Sequence, residues 1–299
     1  MSCTWLDCTD KGGEKIKVER FDGLLFPPKP IDVTSEKQCH DIRDLEVRED
    51  DVFVLSYPKS GTHWTWEVTH MLVTQTAEYH KERMPVFVLD ITKKEDLDSM
   101  TSPRVLSTHF RFRYFPQQVL KKGTKVIMVH RNPKDVVVST YGMYTGTKSM
   151  AMYDGKWDDY FDMWLSGNVP YNSWFDFELE WQNELEAHPE MNVHHVHYED
   201  MKRDPVKSVK CIASFLGRDV SDKTCAEIAE ACGFNKLRQA YSDFKGEKLR
   251  GEWKNGTGIF RKGEVGDWKN WFTVAQNERF DQEYTARMGA SKWTYTYTT

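Results

Sequence analysis

The stretch Tyr57-Pro58-Lys59-Ser60-Gly61-Thr62-His63-Trp64 follows directly on the apolar run Val52-Phe53-Val54-Leu55. A strand that feeds a small-residue loop opening a helix aims several backbone N–H groups at one spot. The positive end of the helix dipole points there too, which suits a phosphate or sulfate. Lys59 adds a mobile cation and Thr62 a hydroxyl. The order is not the Walker A motif G-x-x-x-x-G-K-[ST], because Lys59 precedes Gly61 and the loop holds no earlier glycine. Beyond the loop, Trp64, Val68, Met71 and Leu72 fall on one helical face. The same stretch would also serve as an ordinary strand-to-helix turn, so the anion reading needs support from elsewhere in the chain.

Two further basic segments supply it. Arg131-Asn132-Pro133-Lys134-Asp135-Val136-Val137-Val138-Ser139 follows a second apolar run. Pro133 suits the first turn of a helix, and Arg131 and Ser139 offer a planar fork and a hydroxyl to one phosphate. An Arg131 paired with a nearby carboxylate is the alternative. Near the C-terminus, Arg261-Lys262-Gly263-Glu264-Val265-Gly266-Asp267-Trp268-Lys269 sets two cations before a glycine turn. Such a turn lets the backbone approach a second phosphate, or is simply a solvated basic turn. His109 ends the run Arg104 to Thr108, and a histidine at the carboxyl end of a central strand is well placed as a general base, although a lone histidine is more often structural. His194, His195 and His197 lie in a strand pattern without metal-ligand spacing and read as structural. Tyr198 and Trp64 have the ring faces to meet a heterocycle.

The elements that must position these groups follow from apolar runs. Val52 to Tyr57, Arg104 to Thr108, Lys125 to His130 and Asn192 to Tyr198 read as buried parallel strands. Val136 to Tyr144, Trp174 to Ala187 and Val206 to Leu216 read as helices. The alternation predicts an α/β fold, a single domain over residues 1–299 with a central parallel sheet flanked by helices. Ligands of such sheets sit at the carboxyl ends of the strands, where each of these motifs falls. Phe21 to Pro30, with Phe26, Pro27, Pro28 and Pro30, reads as a rigid apolar loop, either a lid over a pocket or surface packing. Residues 241–262, with Gly246, Gly251, Gly256 and Gly258, read as a mobile and functional loop.

Composition narrows the function classes. The 299 residues carry 29% charged and 13% aromatic side chains, a globular balance. The net charge of −5 disfavours broad nucleic-acid binding, so any anion site is local. The six cysteines, Cys3, Cys8, Cys39, Cys211, Cys225 and Cys232, form no C-x-x-C pair and read as free thiols. The first 20 residues lack the apolar core of a signal peptide, and no stretch approaches the roughly 18 apolar residues of a membrane span. The sequon Asn255-Gly256-Thr257 means little without a secretory signal. A cytoplasmic protein, with no membrane or nucleic-acid partner, is expected.

Taken in order, the three basic segments resemble those of the cytosolic sulfotransferase family, which moves sulfuryl groups from 3′-phosphoadenosine-5′-phosphosulfate (PAPS). Tyr57 to Thr62 is similar to that family's 5′-phosphosulfate loop, Arg131 to Ser139 to its 3′-phosphate site, and Arg261-Lys262-Gly263 with Gly266 to Lys269 to its C-terminal signature. The resemblance runs from about Phe21 to Met288 and implies a P-loop-like sulfotransferase fold. It implies that Lys59, Ser60, Gly61, Thr62, His63 and Trp64 hold the 5′ end, with Trp64 against adenine. Arg131, Ser139, Arg261, Lys262 and Gly263 would hold the 3′-phosphate. Tyr198, Cys232, Phe234 and Phe260 would line the adenosine site. His109 matches the family's catalytic histidine, with Lys59 on the departing oxygen and Ser139 holding Lys59 back until an acceptor binds. Phe26, Phe87, Ser107, His109 and Met143 fall in the acceptor segments. Lys269, Thr273, Val274 and Glu278 match the family's K-x-x-x-T-V-x-x-x-E homodimer segment.

The chain departs from the family at Ser107, where a lysine is usual before Thr-His, at His63 for the usual threonine, and at Cys232 for a threonine that bonds adenine. No carboxylate set suits Mg²⁺, so no metal is expected. The acceptor implied is a phenol, amine or hydrophobic alcohol. A small-molecule kinase would need the Walker order and a metal-binding acid. A non-catalytic nucleotide-binding protein would not need Lys59 and His109. A dehydratase acting through a sulfated intermediate is also compatible with the motifs.

Overall fold

The computed structural model describes residues 2–80, 87–148, 152–244, 254 and 259–298. Gly246, Gly251, Gly256 and Gly258, with the Asn255-Gly256-Thr257 sequon, lie outside the described residues. An antiparallel sheet comes first: β1 (Thr4–Thr9), β2 (Lys15–Phe21) and β3 (Leu24–Phe26), in that order. Alternation in β2 turns Ile16 and Val18 inward while Lys15 and Lys17 face water. The sequence reading places no strand before Val52 and makes 21–30 a loop, and both points are corrected. A three-residue strand is too short for alternation to signal. The pairing of Glu19 with Phe26, Arg20 with Leu25 and Phe21 with Leu24 creates it.

The four expected apolar runs form one parallel sheet. They are β4 (Val52–Ser56), β5 (Val105–Thr108), β6 (Lys125–His130) and β7 (Val193–His197), in the order β5-β4-β6-β7. Every residue of β4 and β5 is buried, as expected for strands covered on both faces. Leu55 pairs with Thr108 on one side and Met128 on the other, and His130 pairs with His197. This register brings the residues just past each strand to one edge. Strand β5 is at the end of the sheet, so His109 does not follow a central strand as the sequence reading has it. Burial hides this: Val88 bridges Ser107, and the 3₁₀ turn Leu89–Ile91 covers β5 as another strand would.

Twelve helices complete the described chain: α1 (Ser35–Arg43), α2 (Thr62–Thr74), α3 (Lys94–Ser99), α4 (Gln118–Lys122), α5 (Pro133–Gly146), α6 (Trp157–Leu165), α7 (Trp174–Ala187), α8 (Tyr198–Arg203), α9 (Pro205–Leu216), α10 (Asp222–Ala231), α11 (Phe234–Phe244) and α12 (Val274–Met288). Tyr198 opens α8 and does not close a strand. Helix α5 starts as its sequence predicts, with Pro133 in the first turn and the Asn132 side chain accepting the Asp135 N–H. Phe53, Leu55, Val126 and Met128 pack on one sheet face with α6, α7 and the N-terminal sheet. Val52, Val54, Ile127 and Val129 pack on the other with α2, α9 and α10. The chain ends by folding back: Trp293 packs on His130, and the Tyr297 carbonyl accepts the Trp268 indole N–H at 3.0 Å.

Glu67 of α2 is 3% exposed on the second face. Its oxygens accept the His80 N–H at 3.3 Å and the Tyr241 hydroxyl at 3.4 Å. Burial pushes this carboxyl up to about 7, and the two hydrogen bonds only partly oppose it. The folded value lies above the ordinary carboxylate range, so the native state keeps its proton longer than the unfolded chain does. Stability therefore declines as pH rises from about 4.5 through about 7. Relative to wild type, Glu67→Gln is expected to gain stability as pH rises from 4 to 8, by on the order of 3 kcal/mol at most, read as a Tm difference that grows with pH. A Tm difference that does not change with pH would rule out a buried, titrating charge at this position.

Candidate active site

The loop after β4 is built around left-handed backbone. Lys59 has φ 69° and Gly61, which caps α2, has φ 109°. A Cβ at Gly61 would lie 2.8 Å from the Tyr198 ring, so only glycine lets the loop pass this close to α8. Ser60 is fully buried, and its Oγ has no hydrogen-bond partner. The Ser56 and Thr62 hydroxyls bond to each other at 2.6 Å, while Lys59 Nζ donates to the Ile259 carbonyl at 2.8 Å. Trp64 meets Tyr198 edge-on at 5.4 Å, and His63 meets Tyr241 at 6.4 Å.

Arg131 emerges one strand away. It donates to the Lys59 carbonyl at 3.0 Å and the Glu264 carbonyl at 3.2 Å, and its guanidinium lies 4.1 Å over the Tyr198 ring. Its Nε is buried without a partner, and among the described residues no carboxylate pairs with it. The alternative of a carboxylate-paired arginine therefore does not describe this side chain. Arg131 bridges the two segments that flank it without a close ion pair, and its charge is felt by the buried Glu199 carboxyl.

The 261–268 segment is held from below. Asp135 is 1% exposed and accepts the N–H groups of Gly266 at 2.7 Å and Trp268 at 2.9 Å. Asn132 donates to Asp135 at 2.9 Å and to buried Glu199 at 3.0 Å. Above this staple, Arg261 and Lys262 both pair with Asp267, at 2.5 and 2.7 Å. Burial raises the Asp267 carboxyl, but the hydrogen bonds from Lys262, Asn270 and Arg261 outweigh it and hold the group down to about 2. Part of the charge that the sequence reading aims at an anion is thus balanced within the turn, although Arg261 Nε stays buried and unpartnered. Arg261 packs against Gly142 of α5, where a Cβ would lie 2.7 Å from its Cδ. Ser139, buried at 6%, lies one turn before Gly142 on the same helix face. Gly263 has φ 70°, and a Cβ there would lie 2.1 Å from the Phe234 ring. Phe234 and Tyr241 both flank Phe260, at 6.3 and 4.9 Å. Cys232 is buried with its sulfur 3.7 Å from that of Met71, and burial pushes its thiol well up.

His109 sits at the end of β5, level with Ser56. Its Nδ1 lies 2.8 Å from the Ser56 carbonyl, and a carbonyl only accepts. Nδ1 therefore carries the proton, and Nε2 carries the free lone pair. The Tyr171 ring stands edge-on to the imidazole at 5.3 Å. The acceptor residues named from the sequence divide between the sheet faces. Phe26, which contacts Phe110 at 5.9 Å, and Met143 belong to the first face. Phe87 stacks on Trp66 at 3.9 Å within the second, and its carbonyl accepts the Ser107 hydroxyl at 3.4 Å.

Sequence reasoning missed Asp90, Tyr171, Asp135, Glu199 and Asp267. A carboxylate inside Val88-Leu89-Asp90-Ile91 is out of place in an apolar run, which was the available signal for Asp90. Tyr171 and Asn172 follow Pro170 and both have positive φ, 68° and 59°. Asn172 fixes the turn by accepting the Leu25 N–H at 2.8 Å, while its carbonyl takes the Tyr57 hydroxyl at 2.8 Å.

The sequence profile of the sulfotransferase domain matches residues 49–292. The chain belongs to the sulfotransferase family. Human sulfotransferase 1C2 is 31% identical over 288 residues, 92% of this chain and 94% of that one. Rat sulfotransferase 1A1 is 35% identical over 253 residues, 80% and 84% of the two chains. The crystal structure of mouse sulfotransferase SULT7A1 complexed with PAP superposes with a TM-score of 0.73 at 31% identity, covering 92% of this chain and 96% of that one. Retinol dehydratase in complex with androsterone and PAP shares the fold, with a TM-score of 0.78 at 17% identity over 99% of this chain and 98% of that one. The protein is a sulfotransferase enzyme with its loop, its arginine and its histidine on one sheet edge.

In this sulfotransferase Gly263→Ala would combine a strained left-handed φ with a clash against Phe234, costing about 1–3 kcal/mol locally. The fold is expected to persist by circular dichroism, while the rise in Tm caused by added phosphate or sulfate shrinks. An unchanged phosphate-induced rise would remove the turn from the anion cradle.

Proposed function

We propose that this sulfotransferase moves a sulfuryl group from PAPS to the hydroxyl or amine of a small, aromatic or hydrophobic acceptor, with His109 as general base. The observation that carries the reading is the His109 imidazole. The Ser56 carbonyl holds its Nδ1 proton, so Nε2 is left basic beside the anion loop. The donor set fits a nucleotide with phosphates at two ends. Ser60 Oγ, Arg131 Nε and Arg261 Nε are buried donors without partners, and Gly61 and Gly263 open cradles that a Cβ would fill. Trp64, Tyr198, Phe234 and Phe260 supply ring faces for a purine between them. The mouse relative named above was crystallised with PAP, the 3′,5′-bisphosphate product.

When bound, PAPS supplies a sulfuryl group whose bond to the 5′-phosphate oxygen is ready to break. His109 Nε2 takes the acceptor's proton as the acceptor oxygen bonds to sulfur, and later releases it to solvent. Lys59 meets the electron pair left on the departing phosphate oxygen, as a cation should in an in-line transfer. The bond recorded for Lys59 runs to the Ile259 carbonyl, so the Lys59 ammonium must leave that carbonyl to act. Ser139 lies on the α5 face against Arg261, a position suited to the 3′-phosphate. Ser107 is neutral and turned to the second face, and adds no cation beside the sulfuryl group. Phe26, Met143 and Tyr171 give the acceptor apolar walls. No metal is assigned to the reaction, because the sulfonate carries less charge than a phosphoryl group.

A homodimer in the cytoplasm completes the reading. Lys269, Thr273, Val274 and Glu278 all face solvent around the start of α12, and Val274 is 77% exposed. The six cysteines are free, in keeping with a reducing compartment. No described helix is long and apolar enough to cross a membrane. Val274→Glu is expected to give monomers by sedimentation, and a dimer unaffected by this change would place the interface elsewhere.

The deciding experiment is calorimetric titration with PAP, followed by transfer from labelled PAPS across a panel of phenols, amines and alcohols, with product masses. His109→Ala is expected to keep PAP affinity and to lose about 10²- to 10⁴-fold in transfer. EDTA is expected to leave transfer intact. Full activity in His109→Ala would overturn the base assignment, and absence of PAP binding would overturn the donor. A product lighter than its acceptor by one water would mark elimination.

A further inference from the structure

Asp90 is 3% exposed and sits on the 3₁₀ turn Leu89–Ile91, which covers β5. Its Oδ1 accepts the Thr108 hydroxyl at 2.7 Å, and both oxygens lie 3.2 Å from the His109 backbone N–H. The Tyr171 ring stands against the imidazole, and its hydroxyl lies within electrostatic reach of the same carboxylate. Every group that reaches the carboxylate here is a donor. The turn beneath it is fixed: Gln38 of α1 donates to the Leu89 and Thr92 carbonyls, and the Thr92 hydroxyl donates to the Val88 carbonyl at 2.8 Å. The titratable groups around Asp90 are His109, Tyr171 and, on α1, the Cys39 thiol.

We propose that Asp90 is the positioning residue of the transfer site, fixing the backbone at residues 108 and 109 and supplying the counter-charge for the imidazolium that forms on His109. Ser56 and Asp90 then act on different parts of one histidine. The carbonyl sets the ring and its tautomer, and the carboxylate sets the main chain and the local field. Tyr171 walls the imidazole with its ring. An anion close to a histidine favours the protonated ring.

This inference rests on His109 being the base, so the test includes His109→Ala. Asp90→Asn keeps size and one acceptor, and Thr108→Val removes the hydroxyl bonded to Asp90. Asp90→Asn is expected to lower kcat by about 10- to 100-fold, with the acceptor KM and PAP affinity within about two-fold of wild type. The acid limb of the kcat/KM profile should move to lower pH in Asp90→Asn, because the anion is gone. A purely structural role would move stability without shifting that limb. If Asp90→Asn does not fold, Thr108→Val decides: a lower kcat with acceptor KM and PAP affinity unchanged supports the role, and a wild-type kcat overturns it. A limb that stays in place in Asp90→Asn, with His109→Ala inactive, would overturn the Asp90 role only. Active His109→Ala would overturn the base reading itself.

Discussion

Asp135 joins two segments that are 131 residues apart. Its two oxygens take the N–H groups of Gly266 and Trp268, and Asn132 ties it to Glu199 at the start of α8. A buried carboxylate is costly unless its oxygens are satisfied, and here both are. The geometry of the 261–268 turn follows from this one group. With Gly266 and Trp268 fixed, Asp267 can gather Arg261 and Lys262, and Gly263 can press against Phe234. Arg131 closes the arrangement by bonding to the Lys59 and Glu264 carbonyls, one on each side. The anion loop and the C-terminal turn are therefore one mechanical unit.

The other arm of the site uses the same means on a smaller scale. His109 hangs between a carbonyl of β4 and a carboxylate of a covering turn, beside a tyrosine whose backbone is left-handed. Strain at Tyr171 and Asn172 is offset by hydrogen bonds that tie the turn to β3 and to Tyr57. The transfer proposed above needs both arms at fixed separation, and the parallel register provides it. Ser56, His109, Arg131 and Tyr198 all leave the sheet at one edge because Leu55 pairs with both Thr108 and Met128.

Much of this was legible in the chain. Four apolar runs gave the four parallel strands to within a residue or two. The loop at Lys59 and the cap at Asn132-Pro133 read correctly because their signals are local: turn residues, a proline, a change of period. What stayed hidden is not local. β3 exists through pairing, and the edge position of β5 is masked by the turn that buries it. Arg261 and Lys262 read as free cations because Asp267 is close in sequence but its reach back to them depends on a staple on another helix. Asp90 carried a faint signal, an acid within an apolar run, yet its partners Thr108 and His109 come from another segment.

The short strand β5 has a consequence for the quality of folded material. Four residues pair with β4 along one side and meet the single bridge from Val88 on the other, and a slip of one residue would turn every side chain to the opposite face. His109 would leave the Ser56 carbonyl, while the loop, Arg131 and the C-terminal turn, built on β4, β6 and α5, would stay assembled. With the roles proposed for the loop and for His109, misregistered molecules would pass for native in any assay of nucleotide retention and stand out only by their lack of turnover. The ratio of turnover to bound nucleotide in a refolded preparation therefore counts the molecules whose edge strand has docked correctly.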